Sequence, residues 1–311
     1  MEVWLIILLS VLILILANTI LYFSIVHYVF NILFKRMKKE VLLNEIDLSK
    51  THYKDFMDIT INNMNEFMKF EYQEVSIVSN DGLKLYGRYY DNNSDKTLLF
   101  FHGYHASPFN NINTPGLWFK EMGYNILLIT ERSHEKSEGK YITFGVKEKE
   151  DALLWFDFLK KQYSPKEIIV YGVSMGGAIV SMISDKLDDS VKALIIDSAF
   201  TGAYEEVLYS IKKKSNFLPG FFFLGIQLYA KMFGHFILEK SVAKDSLSKT
   251  NIPVFMIHGI HDKMVPLSMA KENFNVIKSK KYFFEADSEH AVGIYLNIEK
   301  IKEKFNEFMN D

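Results

Sequence analysis

One serine is flanked by glycines where two sequence patterns meet. Residues 172–177 read Gly-Val-Ser-Met-Gly-Gly, with Ser174 between a β-branched run and an apolar run of helical character. A serine on a sharp turn between a strand and a helix presents its hydroxyl to substrate, and the turn requires very small residues nearby. We therefore predict that Ser174 is a nucleophile; the alternative is an incidental serine in a glycine-rich turn.

A serine nucleophile needs a base, and the base needs an acid that orients it. In sites of this type the acid and then the histidine follow the serine along the chain. Asp262 lies in a turn just beyond a predicted strand, and His290 is the only histidine after it. We predict Asp262 as the acid and His290 as the base. Asp197, at the end of an earlier predicted strand, is the alternative acid.

Attack on an acyl group also requires two N–H donors for the oxyanion that develops. The amide of Met175, directly after the nucleophile, is the first predicted donor. The second is the amide of Tyr104 in the His-Gly-Tyr segment, where Gly103 permits a turn after an apolar run. His102 in the same segment is interpreted as a buttress of this loop, not as a second base.

Apolar, strand-like runs alternate with helical stretches from residue 72 onwards, which predicts a mostly parallel sheet covered by helices on both faces. A hairpin is predicted before the parallel strands, because Asn80-Asp81-Gly82 lies between two runs of alternating apolar and polar residues. The predicted strands are 75–78, 83–89, 97–101, 125–130, 167–171, 191–196, 253–258 and 281–284. The stretch 201–250 has only helical character, and we predict that it forms a lid.

The N-terminal segment from Val3 to Phe34 contains no charged residue and exceeds the roughly 20 apolar residues that span a bilayer. Glu2 stands where a cleaved signal peptide has basic residues. We predict an uncleaved membrane anchor at 1–34 and a charged, helical connector at 35–71. An excess of positive charge marks the cytoplasmic side. The domain is therefore predicted to be cytoplasmic, because the anchor is followed by Lys35, Arg36, Lys38 and Lys39.

Composition excludes several other classes of function. The chain has 311 residues, a formal net charge of −2 and no cysteine. A near-zero charge disfavours nucleic acid as the main partner. Without cysteine there is no disulfide, thiolate metal site or cysteine nucleophile. We predict neither a metal nor a cofactor, and the sequence leaves the oligomeric state open.

Together these motifs resemble the α/β-hydrolase superfamily, in a bacterial serine hydrolase and esterase branch related to prolyl oligopeptidase-like hydrolases. The resemblance implies an α/β-hydrolase fold over 72–311, with about eight strands and a helical lid. It also implies cleavage of an acyl bond, most readily a carboxylic ester, through an acyl-enzyme and without a cofactor. The predicted substrate is a small acyl ester or a lipid-like molecule. The alternatives are a serine peptidase acting on short peptides and a non-catalytic hydrolase-fold scaffold at the membrane.

One loop departs from the pattern of similar proteins, which carry Arg-x-His-Gly-x-Ser-x-Gly after the fourth strand. Here residues 132–139 read Arg-Ser-His-Glu-Lys-Ser-Glu-Gly, with Glu135 where glycine is usual. The loop borders the expected site. The change therefore bears on loop shape and substrate choice, but not on the predicted triad.

Overall fold

The computed structural model describes residues 2–37, 42, 45, 54–214 and 219–310. In this part of the chain eight strands form one sheet of order β1-β2-β4-β3-β5-β6-β7-β8. The strands are β1 (Gln73–Val78), β2 (Lys84–Tyr90), β3 (Lys96–Phe101), β4 (Asn125–Thr130), β5 (Glu167–Val173), β6 (Val191–Asp197), β7 (Val254–Gly259) and β8 (Lys281–Ala286). The helices are α1 (Glu2–Phe34), α2 (Met57–Phe67), α3 (Pro108–Glu121), α4 (Glu148–Tyr163), α5 (Met175–Ile183), α6 (Ala203–Lys214), α7 (Pro219–Tyr229), α8 (Ala243–Leu247), α9 (Leu267–Val276) and α10 (Gly293–Asn310).

The predicted hairpin and the predicted parallel sheet are both confirmed. β1 and β2 pair antiparallel with Val78 opposite Lys84, and Gly82 in the turn has a φ of 83°. β2 also pairs antiparallel with β4, whereas every later pair in the sheet is parallel. The inner strands are almost entirely buried, as expected for parallel strands covered on both faces.

Helices cover both faces of the sheet. One face packs against α4 and α5, whose buried side chains include Trp155 and Ile179, and against α6 and α7. The other face packs against α3 and α10, whose buried side chains include Trp118 and Phe305. The carboxyl ends of the parallel strands lie together at one edge, where ligand sites of such sheets form.

The predicted lid is helical in its described residues. Between β6 and β7 the chain forms α6, α7, a π-helical turn at Ala230–Gly234, a 3₁₀ turn at Leu238–Lys240 and α8. We call residues 201–250 the lid segment. Residues 215–218 of the lid segment lie outside the described residues.

Helix α1 has the length and apolar composition of a membrane span, and among the described helices it alone does. Residues 3–21 are exposed throughout, and we call them the free half. Residues 22–34, the docked half, pack against the rest of the protein and bury Val26, Phe30, Leu33 and Phe34. The sequence predicted the apolar span but not this docking.

The docked half lies against α7 and the segments around it. The Tyr22 hydroxyl donates to the carbonyl oxygen of Phe221 at 2.9 Å. The ring of Phe30 lies 4.8 Å from that of Tyr229, centroid to centroid. The predicted connector at 35–71 is described only in part. Lys35 forms a β-bridge with Tyr141 and α2 is helical, but Lys38 and Lys39 lie outside the described residues.

Candidate active site

Ser174 occupies the turn between β5 and α5 in a strained conformation. Its φ of 54° and ψ of −114° lie in a region that residues with side chains rarely adopt. A Cβ atom added to Gly172 would lie 2.2 Å from the carbonyl oxygen of Gly176. The expectation that this turn accepts only very small neighbours is therefore confirmed. A hydrogen bond from the Ser174 amide to the Asp197 carbonyl, at 2.8 Å, stabilises this strained conformation.

The structure brings Ser174, His290 and Asp262 together although they are far apart in the chain. His290 Nε2 lies 2.9 Å from Ser174 Oγ, and His290 Nδ1 lies 2.6 Å from Asp262 Oδ2. With a proton on Nδ1, facing the carboxylate, Nε2 is free to accept the serine hydroxyl. This arrangement can deprotonate a serine nucleophile as it attacks.

Asp262 is fixed by its own turn. Its Oδ1 accepts hydrogen bonds at 2.8 Å from the amides of Met264 and Val265. His258 is buried beside it and lies within hydrogen-bond distance of the Val265 carbonyl, 3.0 Å from Nε2. Burial lowers the pKa of His258, so a neutral imidazole lies beside the acid. His261 lies outside this cluster and pairs with Asp287 at the surface.

Asp197, the alternative acid, has different partners. Its carboxylate accepts hydrogen bonds from Ser198 Oγ at 2.8 Å and from the Tyr171 hydroxyl at 3.4 Å. Burial raises the pKa of Asp197 to about 6. Ser198 Oγ in turn accepts from the amide of Ala291, next to the histidine, at 3.1 Å. Asp197 thus supports the loop that carries His290, while the hydrogen bond to the imidazole comes from Asp262.

The loop after β3 lies against the serine turn. A Cβ atom on Gly103 would lie 3.5 Å from Ser174 Cβ. The Gly103 amide donates to Asn111 Oδ1 at 2.7 Å and is therefore occupied. The amides of Tyr104 and Met175 remain the predicted oxyanion donors. We call residues 102–107 the oxyanion loop.

His102 ties the oxyanion loop to the end of β4, as the sequence interpretation proposed. Its Nδ1 lies 2.9 Å from the Gly103 carbonyl oxygen, and its Nε2 accepts from the Glu131 amide at 3.1 Å. Burial lowers the pKa of His102 to about 4, so the ring is neutral at physiological pH. With both nitrogens engaged by the backbone, His102 is a structural residue.

A cavity of about 150 Å³ opens beside the serine. Its lining includes Ser174, His290 and Tyr104, with Phe144 and Phe200 as apolar walls. It is smaller than the roughly 300–1,000 Å³ typical of sites for drug-sized ligands. A larger cavity of about 590 Å³ lies beside the π-helical turn and the start of α4, and its lining contains none of the predicted site residues. The hydrogen-bonded trio, not cavity size, therefore marks the candidate site.

Glu206 of α6 is an acidic residue in the lining that sequence reasoning missed. Its side chain is 8% exposed, Oε1 accepts from Ser210 Oγ at 3.2 Å, and Oε2 has no partner among the described residues. Burial raises the pKa of Glu206 to about 7. Asn111 was missed as well. Neither carries a local signal, because each reaches the site only through tertiary folding.

The unusual Glu135 occupies a left-handed position, with a φ of 38°, where glycine is easily accommodated. Its carboxylate is engaged on both oxygens. Oε2 accepts from Arg88 Nη2 at 2.6 Å, and Oε1 accepts from Ser107 Oγ at 2.7 Å. Glu135 therefore binds the end of the oxyanion loop to the sheet. Among the described residues no cluster of histidines and carboxylates suited to a metal ion occurs.

Comparison with known proteins identifies the fold. Residues 92–244 match the family model described as serine aminopeptidase S33. An esterase of Pyrococcus furiosus, Pf2001, superimposes over 79% of this chain and 92% of its own, with a TM-score of 0.62 and 28% identity. The chain belongs to the α/β-hydrolase superfamily. The predicted fold class, including the eight-stranded, mostly parallel sheet, is confirmed.

Two curated proteins are also similar in sequence to this α/β-hydrolase. The YqkD protein of Bacillus subtilis is 24% identical over 219 residues, which are 69% of this chain and 71% of YqkD. The lysophosphatidylserine lipase ABHD12 of Danio rerio is 24% identical over 164 residues, 51% of this chain. The match spans only 41% of the lipase. Together with the esterase structures, these relatives mark this α/β-hydrolase as esterase- or lipase-like.

Proposed function

We propose that this α/β-hydrolase is a membrane-anchored serine hydrolase that cleaves carboxylic esters through an acyl-enzyme. The observation that carries the proposal is the hydrogen-bonded chain from Ser174 through His290 to Asp262 beside a cavity. Esterase structures and a lipase among its relatives support ester chemistry. A non-catalytic scaffold is disfavoured, because a protein without catalysis has no need to hold Ser174 in a strained turn.

The proposed reaction has two halves. Ser174 Oγ attacks the acyl carbon while His290 Nε2 takes its proton, and the amides of Tyr104 and Met175 stabilise the oxyanion. The imidazolium, stabilised by Asp262, then protonates the leaving alcohol as the C–O bond breaks. Water repeats the sequence on the acyl-enzyme, with His290 as base, and releases the acid. No cofactor enters this scheme.

The proposed location is a cell membrane, with α1 as a single span. Four basic residues after the apolar run place the domain on the cytoplasmic side in this proposal. The lid segment presents exposed apolar side chains beside α1, including Phe221, Leu224 and Phe233. These features favour small acyl esters or lipid-like esters that partition into the membrane.

A fluorophosphonate probe and p-nitrophenyl esters of increasing chain length test the proposal on the full chain in detergent micelles. We expect labelling and turnover in the wild type, loss of both in Ser174→Ala, and no change in Ser268→Ala, which alters an exposed serine. The small cavity predicts faster turnover of short acyl chains. A folded wild-type protein that neither labels nor turns over any ester would contradict the proposal.

A serine peptidase acting on short peptides is the second candidate. It is favoured by the description of the matching family and by Glu206, since a buried carboxylate in the cavity suits a substrate ammonium group. Aminoacyl p-nitroanilides decide between the two. Preference for these amides over matched esters would support the peptidase and contradict the esterase.

A further inference from the structure

The end of α1 contacts the oxyanion loop directly. The last carbonyl groups of a helix have no partner within the helix and require donors from elsewhere. Here the Tyr104 hydroxyl donates to the Leu33 carbonyl at 2.8 Å, and the Ile142 amide donates to the Phe34 carbonyl at 2.7 Å. His105 Nε2 lies 3.3 Å from the next carbonyl, that of Lys35. The C-terminal end of the docked half therefore contacts Tyr104, the residue whose amide is a predicted oxyanion donor.

A second connection runs through the residue that follows Lys35. Arg36 donates from its backbone amide to the Lys140 carbonyl at 3.0 Å and from Nη1 to the Ser137 carbonyl at 2.8 Å. Its Nη2 donates to the Glu135 carbonyl. The Glu135 carboxylate accepts from Ser107, the last residue of the oxyanion loop. Arg36 thus positions Glu135, and Glu135 fixes Ser107 at the far end of the oxyanion loop.

Apart from α1, this side of the loop is supported from outside by the buried His134, whose Nε2 accepts from the His105 amide at 3.1 Å. His105 has a φ of 52°, and the hydrogen bond from the Ala106 amide to the Gly103 carbonyl is long, at 3.4 Å. The Tyr104 ring is partly buried against apolar neighbours, with its centroid 4.8 Å from that of Phe144. Phe144 in turn contacts Phe34, at 5.6 Å between centroids. The position of the Tyr104 backbone therefore depends in part on α1, which accepts the Tyr104 hydroxyl and packs behind Phe144.

We propose that the end of α1 is a positioning element for oxyanion stabilisation. The Leu33 carbonyl, through the Tyr104 hydroxyl, and Arg36, through Glu135, hold the Tyr104 amide where it donates to the developing oxyanion. This inference rests on the proposed serine hydrolase function. It makes the membrane anchor a part of the catalytic architecture as well as an attachment.

The expected decrease in kcat follows from the contribution that one oxyanion donor makes to catalysis. Loss of one oxyanion donor typically lowers kcat by about 10²–10³-fold, and small misplacements of catalytic groups are costly. A loosened but retained Tyr104 amide should lower kcat by a part of this, about 10-fold. KM should change by less than about 2-fold, because the ground-state carbonyl binds the donor more weakly than the oxyanion does.

Two variants of the full chain in lipid nanodiscs test the inference. Tyr104→Phe removes the hydroxyl that reaches Leu33 and keeps the amide and the ring, and Arg36→Gln removes the clamp on Glu135. Two substitutions serve as matched controls. Tyr28→Phe alters an exposed tyrosine of α1, and Lys35→Gln alters the exposed side chain next to Arg36. We expect both test variants to show the lower kcat and slower fluorophosphonate labelling. We also expect control-like thermal midpoints, and partial recovery of kcat in Arg36→Lys.

The outcomes separate the two proposals. Wild-type kcat in both folded test variants would overturn the positioning role, while wild-type labelling would leave the serine hydrolase standing. A rise in KM alone would also overturn it, because that result indicates altered substrate binding. A wild-type protein without labelling or turnover would remove both proposals. If one variant does not fold, the other decides by the same criteria.

Discussion

Glu206 is an acidic side chain held in a place that disfavours its charge. It lines an otherwise largely apolar cavity, and burial raises the pKa of its carboxyl to about 7. An unfolded glutamate titrates near 4.3. The folded protein therefore binds this proton more tightly than the unfolded chain does, and the free energy of unfolding falls as the pH rises from about 4 to about 7.

Glu206→Gln removes this ionisation and should change the pH dependence of stability. We expect the variant to match the wild type near pH 4. At pH 8.5 it should exceed the wild type by about 1–3 kcal/mol in the free energy of unfolding, because the buried carboxylate no longer has to ionise. Denaturant unfolding of the full chain in micelles at the two pH values measures this difference.

Glu205 provides the matched control, since it is exposed on the same helix. Glu205→Gln should leave the pH dependence of stability unchanged. A Glu206→Gln curve parallel to that of the wild type across the range would show that Glu206 titrates normally in the folded protein.

At the residue scale, the sequence predicted the parts of the site that local motifs encode. Ser174 and Gly103 follow strands and sit in turns whose composition is distinctive. Asp262 and His290 were assigned from chain order and from the strand before each. Asn111 and Glu206 were not predicted, because their neighbours in the chain say nothing about the loop and cavity they reach. Glu135 was noticed as unusual, yet its partners Arg88 and Ser107 emerged only in the folded protein.

Helix α1 divides into two halves with different surroundings. The free half measures about 28 Å at 1.5 Å per residue, close to the ~30 Å hydrocarbon core of a bilayer. The docked half buries Val26, Phe30, Leu33 and Phe34 against the domain. Burial of each such side chain is worth about 1.5–3 kcal/mol. The docked half therefore contributes to the stability of the domain as well as to its attachment.

Two N-terminal deletions should separate these roles. Deletion of residues 2–20 removes most of the free half and should retain wild-type turnover of a soluble p-nitrophenyl ester in micelles. Deletion of residues 2–34 exposes the apolar surface that α1 covers and should lower turnover by at least about 10-fold, because the oxyanion loop loses its partner. Specific activity and thermal midpoint, measured for both proteins side by side, provide the comparison.

Equal activity and stability in the two deletions would show that the docked half is dispensable.

At the element scale, the length of the apolar run was the available hint of docking. It continues for about a dozen residues beyond the roughly 20 that a span requires. The strand patterns placed the strands of the sheet to within a few residues at each end, since each pattern is local. The surface that α1 covers is assembled from α7, Tyr141, Phe144 and Phe236, which are far apart in the chain. No local sequence pattern predicts that these residues come together.

For the whole molecule, α1 and the lid segment define one apolar side. α7 carries no charged residue, lies along the docked half and exposes Phe221 and Leu224, whereas α10 lies on the opposite face of the sheet. Exposed apolar surface continuous with the proposed membrane span is expected to contact lipid.

Leu224→Trp should report this contact. In nanodiscs that contain brominated lipids, fluorescence of the added tryptophan should be quenched well above the background from the native tryptophans. Leu296→Trp, at an exposed leucine of α10, is the matched control and should show no added quenching. Equal quenching at the two positions would mean that the lid segment does not face the bilayer.

The docked half of α1 also determines how this protein meets its substrates. In the proposed arrangement, with the free half across a bilayer, the docked half leaves no long flexible linker between the span and the domain. The height of Ser174 above the lipid surface would then be fixed. Encounters then occur by lateral diffusion in two dimensions. For the proposed lipid-like esters, the rate would then depend on the number of substrate molecules per unit area of membrane, rather than on their concentration in the surrounding water.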